Sequence, residues 1–592
     1  MLENAGAYVL LPRERDTQHN EVIADNDPSC GARGTAAYKE KGKWSEAGCG
    51  FADPKQTYFE RENPFEMGTA RQAQCVSPSS KATATITWTP DIPSRGEYAV
   101  YVSYKSLPSS TSSAHYTVHH LGGTSEFIVN QKMGGCTWVY LGTFEFEQGS
   151  EACVMLDNST PEGYRMEVGA VVTADAVRFG GGMGNIVRNR KVDPSDTLAI
   201  VAEPTVSGLP RSAEAARYWL QWAGADTTVY YQNLGENDYK DDFMSRGDWV
   251  EWISRGSRVN PGKKDGLGIP VDLSLGFHTD AGVTPDNATI GTLAIYTYKS
   301  EGKTKLPAGE NRQTSRMLAE IVQTQIVDDI RAEFDTLWNR RSIWDRGYRE
   351  SRTPSCPSML LELLSHQNFA DMKYGLDPEF RFTVSRAIYK GMLKYLSNRF
   401  GEDYVVQPLP VDNIAVEFCG GQSAQPSRKG NSQTKVAVTW SPVADPLEPT
   451  ADPQGYIVYK RIGDGAFDKG TLVTDCRHET EIAPGEVVSF KVAAYNEGGT
   501  GFPSEIVSIG VPKNDSHTAK DRNCSYDDIV LIVNNFDRIS GPAFFDGTER
   551  AGFDNSLDSG VADKQDITFI GEMYNFRRAD EWITNSRPGF GA

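Results

Sequence analysis

The chain has 592 residues, 79 of them acidic and 60 basic, for a net charge of −19, and 39% are hydrophobic. That charge argues against a phosphate-backbone partner, so no nucleic acid is expected, and at roughly 100–200 residues per domain the length calls for about three to five domains. No apolar run approaches the ~20 residues of a membrane-spanning helix. Nine scattered cysteines without a CxxC pair exclude a thiolate zinc site of the usual spacing and leave disulfides open.

In chain order, Met1–Asp16 reads as the last turn of a helix, a turn at Gly6, a strand Tyr8–Leu11 and a polar exit. Between about 26 and 182 the pattern changes to short alternating strands (ATATITWTP, GEYAVYVSYKS, AHYTVHHLGG, EFIVNQ, TWVYLGTFEFEQG, ACVMLDN and DAVRFGGG). Turn residues separate them and no helical period is present, which predicts an inserted β-sandwich. The neighbours His119 and His120 project to opposite faces of their strand, so one metal ion cannot easily take both. With Trp138 they form either a sugar-stacking platform or part of the sandwich's own packing.

From about 183 to 406 helical periods return, at 212–223, 241–254, 315–338 and 378–395. Strands at 269–278, 289–297 and 358–361 alternate with them, which predicts an α/β unit with a mainly parallel sheet. Ligands of such sheets sit beyond the carboxyl ends of the strands. There stand His278, which ends GIPVDLSLGFH before Thr279 and Asp280, and Glu362, which closes the apolar run Met359–Leu361. A carboxylate that closes an apolar strand is costly to desolvate unless a cation or a reacting proton meets it. His366 lies four residues further on, ahead of a polar loop with Asn368 and Asp371. Glu214, after Pro210, is a rival metal ligand, and Arg246 in SRGDWVEW reads as one half of a salt bridge. Residues 407–513 predict a second β-sandwich with Trp440, Tyr456 and Tyr495 as packing residues. Residues 523–592, opening on the strand Ile529–Val533, predict a truncated C-terminal α/β unit.

Segment Thr353–Tyr395 resembles the last catalytic stretch of the zinc-dependent N-acetylmuramoyl-L-alanine amidases (the amidase 3 family). There a proline-led strand ends in the catalytic glutamate, before an asparagine-containing loop and a helix. The strand ending in His278 resembles that family's strand ending in a zinc-binding histidine, with Thr279 and Asp280 replacing the alanine and asparagine that follow it. Arg246 resembles the family's arginine in the helix before that strand. The resemblance implies Glu362 as the catalytic group and His278 as a zinc ligand. It also implies that residues 1–25 are a remnant of the same α/β unit, and that the two other zinc ligands precede Met1. Tyr116–His120, Gly122-Gly123, Asn130-Gln131, Trp138, Leu141-Gly142 and Ala174–Phe179 resemble the golvesin and xanthan-lyase carbohydrate-binding-like domain. Residues 407–513 resemble a fibronectin type III module.

In this order of parts the chain resembles exported Bacteroidetes proteins that are often labelled xanthan lyase. The resemblance implies a fragment of a secreted or cell-surface zinc amidase-like hydrolase acting on peptidoglycan or a related cell-wall glycan. Two alternatives stand beside it. One is a polysaccharide (xanthan-type) lyase, which needs a Tyr, His or Lys base beside a uronate carboxylate. The other is a non-catalytic carbohydrate-binding or adhesion protein.

Overall fold

The computed structural model describes residues 1–27, 37–78, 80–188, 205–284, 288–419, 434–511, 541–548 and 551–553. The predicted strand Ile529–Val533 and nearly all of 523–592 lie outside the described residues. Among the described residues, no helix is long and apolar enough to cross a membrane.

The first unit is a sandwich of β1 (Val22–Ala24), β2 (Ala37–Lys41), β3 (Ser45–Gly50), β4 (Gly68–Gln74), β5 (Thr85–Thr89), β6 (Gly96–Val102), β7 (Ala114–His120), β8 (Gly123–Val129), β9 (Val139–Phe146), β10 (Cys153–Asp157), β11 (Val171–Ala174) and β12 (Val177–Phe179). They form sheets of order β1-β12-β6-β9, β2-β5-β10-β7-β8 and β11-β4-β3. The period-two sequence places Ile86, Trp88, Tyr116, Val118, Val154 and Leu156 on one buried face. The entry into this unit lies earlier than the sequence predicts. β1 pairs with β12, Val22 opposite Phe179. Glu14 meets Arg178 at 2.7 Å with both side chains fully buried. Residues 14–24 are therefore tied to the sandwich. The predicted strand Tyr8–Leu11 is extended but pairs with no strand, and Tyr8 and Leu11 are exposed. The turn at Gly6 is left-handed (φ +85°), as a glycine after a helical turn permits.

The second unit contains α1 (Ala216–Trp222), α2 (Thr227–Tyr230), α3 (Asp238–Ser254), β13 (Ser274–Asp280), β14 (Leu293–Tyr296), α4 (Gln313–Glu333), β15 (Trp344–Asp345), α5 (Arg349–Arg352), β16 (Ser358–Ser365), α6 (Phe369–Gly375) and α7 (Pro378–Phe400). Its sheet runs β13-β16-β14-β15. β13 pairs with β16 and β14 with β15 in parallel, while β14 is antiparallel to β16, so the sheet is mixed, with two parallel pairs and one antiparallel pair. β13 and β16 carry their carboxyl ends to one edge, β14 and β15 to the other.

Helix α4 covers the sheet and α7 packs on α4. On α4, Leu318, Val322, Ile326 and Ile330 recur every four residues and are buried. α7 opens with Asp377 accepting from the Glu379 amide and Pro378 in its first turn, and closes at left-handed Gly401. A Cβ on Gly391 of α7 would stand 2.8 Å from Val322 Cα, so the missing side chain is what lets the two helices approach. The sandwich and the helices also share an aromatic core of Phe51, Phe65, Trp138, Trp219, Trp222, Trp249 and Trp252.

The third unit is a sandwich of β17 (Asp412–Phe418), β18 (Thr434–Ser441), β19 (Gly455–Ile462), β20 (Thr471–Val473), β21 (Arg477–Ile482), β22 (Val487–Asn496), β23 (Gly499–Thr500) and β24 (Val507–Gly510). The sheets are β17-β18-β21 and β20-β19-β22-β23, with β24 also on β22. Trp440 and Tyr456 pack edge to face at 5.2 Å between them. A short pair, β25 (Phe544–Asp546) with β26 (Ala551–Phe553), brings Phe553 to 5.5 Å from Phe369.

Candidate functional site

Parallel pairing of β13 with β16 makes His278 the register partner of Glu362, so both side chains leave the sheet on one face near its carboxyl edge. Glu362 lies within β16, which runs on to Ser365, and does not end it as the sequence predicts. His278 Nε2 donates to Glu350 Oε2 on α5 at 2.8 Å. Arg246 Nη1 of α3 stands 3.7 Å from the other Glu350 oxygen and donates from Nη2 to Asp242 at 2.6 Å. At the strand end Arg341 Nη1 donates to Asp280 at 2.5 Å. His366 Nδ1 is 3.1 Å from the Thr279 hydroxyl. The result is a row of alternating charge: Asp242, Arg246, Glu350, His278, Glu362.

Gly276 makes the row possible. It precedes His278 by two residues on the same face, and a Cβ there would stand 3.3 Å from Glu350 Cβ. A glycine inside a strand commonly marks such a close approach.

The electrostatics sort the groups into roles. Burial pushes the Glu362 carboxyl up to about 7; His278 and Arg341 oppose this, and Asp280 and Glu350 add to it. Its Oε2 is buried without a hydrogen-bond partner. Burial alone lowers the pKa of His278, but the hydrogen bond and charge of Glu350, with Glu362 behind them, reverse that and raise it. His366 moves the other way, because burial outweighs its Thr279 bond. A carboxyl that titrates near neutrality beside an imidazolium is an acid–base pair suited to moving protons at a polar bond.

Metal holding fares differently. A catalytic zinc takes three protein ligands. Among the described residues, no three His, Cys, Asp or Glu side chains are grouped to hold an ion. His278 spends Nε2 on Glu350, so the described residues do not fit zinc by themselves.

The other predicted residues lie elsewhere. Glu214 does not head α1; it follows a short 3-10 turn, buried, with Ser207 at 2.6 Å and Arg188 at 3.2 Å as partners. Arg246 makes the predicted salt bridges, and they bear directly on Glu350. Asn368 and Asp371 hold loop backbone: Asn368 donates to the Ala288 carbonyl at 2.8 Å, and Asp371 accepts from the Ile290 amide at 2.8 Å. The stretch after Asn368 is helix α6, not loop.

Trp138 is no open platform. It is 5% exposed, packs on Phe51 at 4.7 Å, and only borders a cavity of about 350 Å³ beneath residues 7–11. His120 stacks on Phe144 at 4.7 Å and lies 3.0 Å from the Ser125 hydroxyl. His119 alternates with His120 and shares the outer face of β7 with His115, which pairs with Asp157 at 3.0 Å. The structure thus separates His119 from Trp138 and His120.

Sequence reasoning missed Glu350, Asp242 and Arg341. The stretch RGYRESR around Glu350 has neither period nor motif; the one usable signal is Gly276 inside the strand.

Known proteins are similar to parts of the chain. Residues 65–181 match the family model of the Golvesin C-terminal domain. A xanthan lyase of Bacillus sp. (strain GL1) is 35% identical over 104 residues, 17% of this chain and 10% of that protein. The chain thus spans about a tenth of the length of the curated relative it matches. An N-acetylmuramoyl-L-alanine amidase from Clostridium difficile 630 is 17% identical over 26% of this chain and 84% of its own, with a TM-score of 0.18. The third fibronectin III domain of human KIAA0343 protein is 17% identical over 19% of this chain and 90% of its own, with a TM-score of 0.15.

Proposed function

We propose that the β13–β16 site hydrolyses an amide bond in peptidoglycan or a related cell-wall glycan, outside the cell, while the golvesin-like sandwich holds the polysaccharide. The observation that carries this reading is Glu362: a half-buried carboxyl at a strand-edge site, one oxygen unpartnered, titrating near neutrality beside His278. Glu362 takes the proton of an attacking water. His278, held protonated by Glu350, delivers a proton to the departing amine, so water is split between the two products. Arg246 helps hold Glu350 in place from 3.7 Å. The amidase resemblance points to zinc with His278 as one ligand; His278 would then have to give up the proton it carries here, because an imidazolium has no lone pair for a metal, and the ion would supply Lewis-acid polarisation of the scissile carbonyl instead.

The test is release of free amino groups from insoluble peptidoglycan, with and without added zinc. Glu362→Gln should lower the rate by about two to four orders of magnitude while circular dichroism stays unchanged. Equal rates for both proteins would remove Glu362 from the chemistry. Formation of unsaturated uronate ends instead of amino groups would establish the lyase alternative, and binding without either product the adhesion one.

A further inference from the structure

One arginine ties the β13–β16 residues to an exposed aromatic side chain elsewhere on the sheet. Arg341 Nη1 donates to Asp280, two residues beyond His278, at 2.5 Å. The same guanidinium stands 5.4 Å from the ring of Trp344 on β15. Arg346 stands 5.8 Å from that ring. Trp344 is 38% exposed, so part of its ring is open to solvent.

Register places this group beside the proposed chemistry. Glu362 faces Leu293 and Leu360 faces Ile295 across β16 and β14, and Ile295 faces Trp344 across β14 and β15. Partners in register share a sheet face, so Trp344 belongs to the face of Glu362 and His278, not to the one that α4 covers. Leu293, Ile295 and Leu360 accordingly form an apolar cluster apart from the core beneath α4. Two strand spacings of about 4.8 Å and two residues of about 3.3 Å put the Trp344 backbone roughly 12 Å from that of Glu362.

Charge distinguishes the two arginines. Arg341 is compensated by Asp280. Arg346 is exposed and donates to the Asp345 carbonyl at 3.3 Å, and no carboxylate pairs with it among the described residues. The Asp345 carboxylate beside it is engaged by the Tyr298 amide at 3.0 Å. β15 exposes both of its residues, so Trp344 does not serve the core.

We propose that Trp344 and Arg346, with Arg341, form a subsite for a carboxylate-bearing sugar of the substrate. The C–H face of a pyranose lies on the indole, and its carboxylate takes charge-assisted hydrogen bonds from Arg346, whose planar fork matches two oxygens. The subsite lies across Glu362 from His278, which serves the departing amine. It therefore holds the acyl side of the scissile bond, the glycan part of such a substrate. The inference deepens the hydrolytic reading and rests on it for that orientation only; the binding does not depend on it.

The test is calorimetric titration of the full chain with a short oligoglucuronate and with the glucose oligomer of equal length, which lacks the carboxylates. The wild type should bind the oligoglucuronate about tenfold more tightly, the size of one charge-assisted hydrogen bond, and should lose most of that difference in molar salt. Arg346→Gln should remove the preference while keeping weak binding of both oligomers. Trp344→Ala should weaken both by about threefold to tenfold. Equal affinity of the wild type for the two oligomers, or no binding of either, would overturn the proposal. So would variants that bind as the wild type does, since the saccharide then sits elsewhere, as on the golvesin-like sandwich. If Trp344→Ala fails to fold, Arg346→Gln, a change of an exposed side chain, decides alone. Release of amino groups from peptidoglycan is read separately: its absence with the charge preference intact would strike the hydrolytic reading and leave the subsite.

Discussion

The sandwich and the mixed sheet each bury a carboxyl beside another ionisable group, and the surroundings give those carboxyls different tasks. Asp175 sits among other acids, fixed by a backbone amide and a hydroxyl on one oxygen. Glu362 has a cationic imidazole as its strand neighbour and keeps one oxygen uncommitted. Desolvation raises both pKa values by the same physics. The difference lies in what can exchange a proton: Glu362 faces a second titratable group at a sheet edge, whereas Asp175 faces like charges inside a sandwich. Burial marks a carboxyl as unusual, and its neighbours decide whether that serves chemistry or structure.

Several experiments would sharpen this contrast or break it. Glu14→Ala strands the Arg178 guanidinium, whose ion pair is fully buried. Unfolding of the sandwich should become easier by about 3–5 kcal/mol in denaturant titration; a loss below ~1 kcal/mol would mean the pair is no structural anchor. The same change should leave the proton chemistry of the other sheet alone in whatever fraction stays folded.

Next in size is Glu350→Gln, which removes the negative charge that helps raise the His278 pKa while leaving an acceptor oxygen. The rate should fall by about tenfold to a hundredfold, and the upper limb of the pH–rate profile should move to lower pH, because His278 loses the group that raises its pKa. A lower rate with an unmoved profile would assign Glu350 a packing role only.

Stability against pH separates the regions further. Glu362 has a folded pKa of about 7 against its ordinary value of 4.5, so the folded state binds the extra proton. Stability from this group is complete below about 4.5 and is lost as pH rises through about 7. His278, also raised, adds loss in the same direction, above its ordinary value of 6.5. Glu362→Gln should therefore flatten the decline between pH 4.5 and 7 in chemical denaturation. An unaltered slope would place the titration elsewhere.

The smallest effect is expected at the outer face of β7. His119→Ala should weaken binding to insoluble cell-wall glycan a few-fold without moving hydrolysis of a soluble substrate. Retained binding would exclude that face and turn attention to other exposed parts of the sandwich.

Periodicity by itself determined a good deal of this protein. Alternating strands from Thr85 to Phe179 and the four-residue spacing on α4 dictated what is buried, because a strand or helix has only one way to hide a regular apolar pattern. The same local logic placed His278 and Glu362 on apolar strands. Other features depend on groups distant in sequence. No helix stands between β13 and β14 among the described residues, and β14 runs antiparallel to β16, so that one antiparallel pair was not legible from alternating elements. Trp138 carries a sugar-stacking side chain by type, but α1 and α3 bury it in an aromatic core. Glu350 sits 72 residues from His278, in a stretch without pattern, and reaches it because Gly276 leaves the space. Local sequence dictates which groups must be hidden; tertiary packing decides which hidden groups meet, and a pKa is set by that meeting.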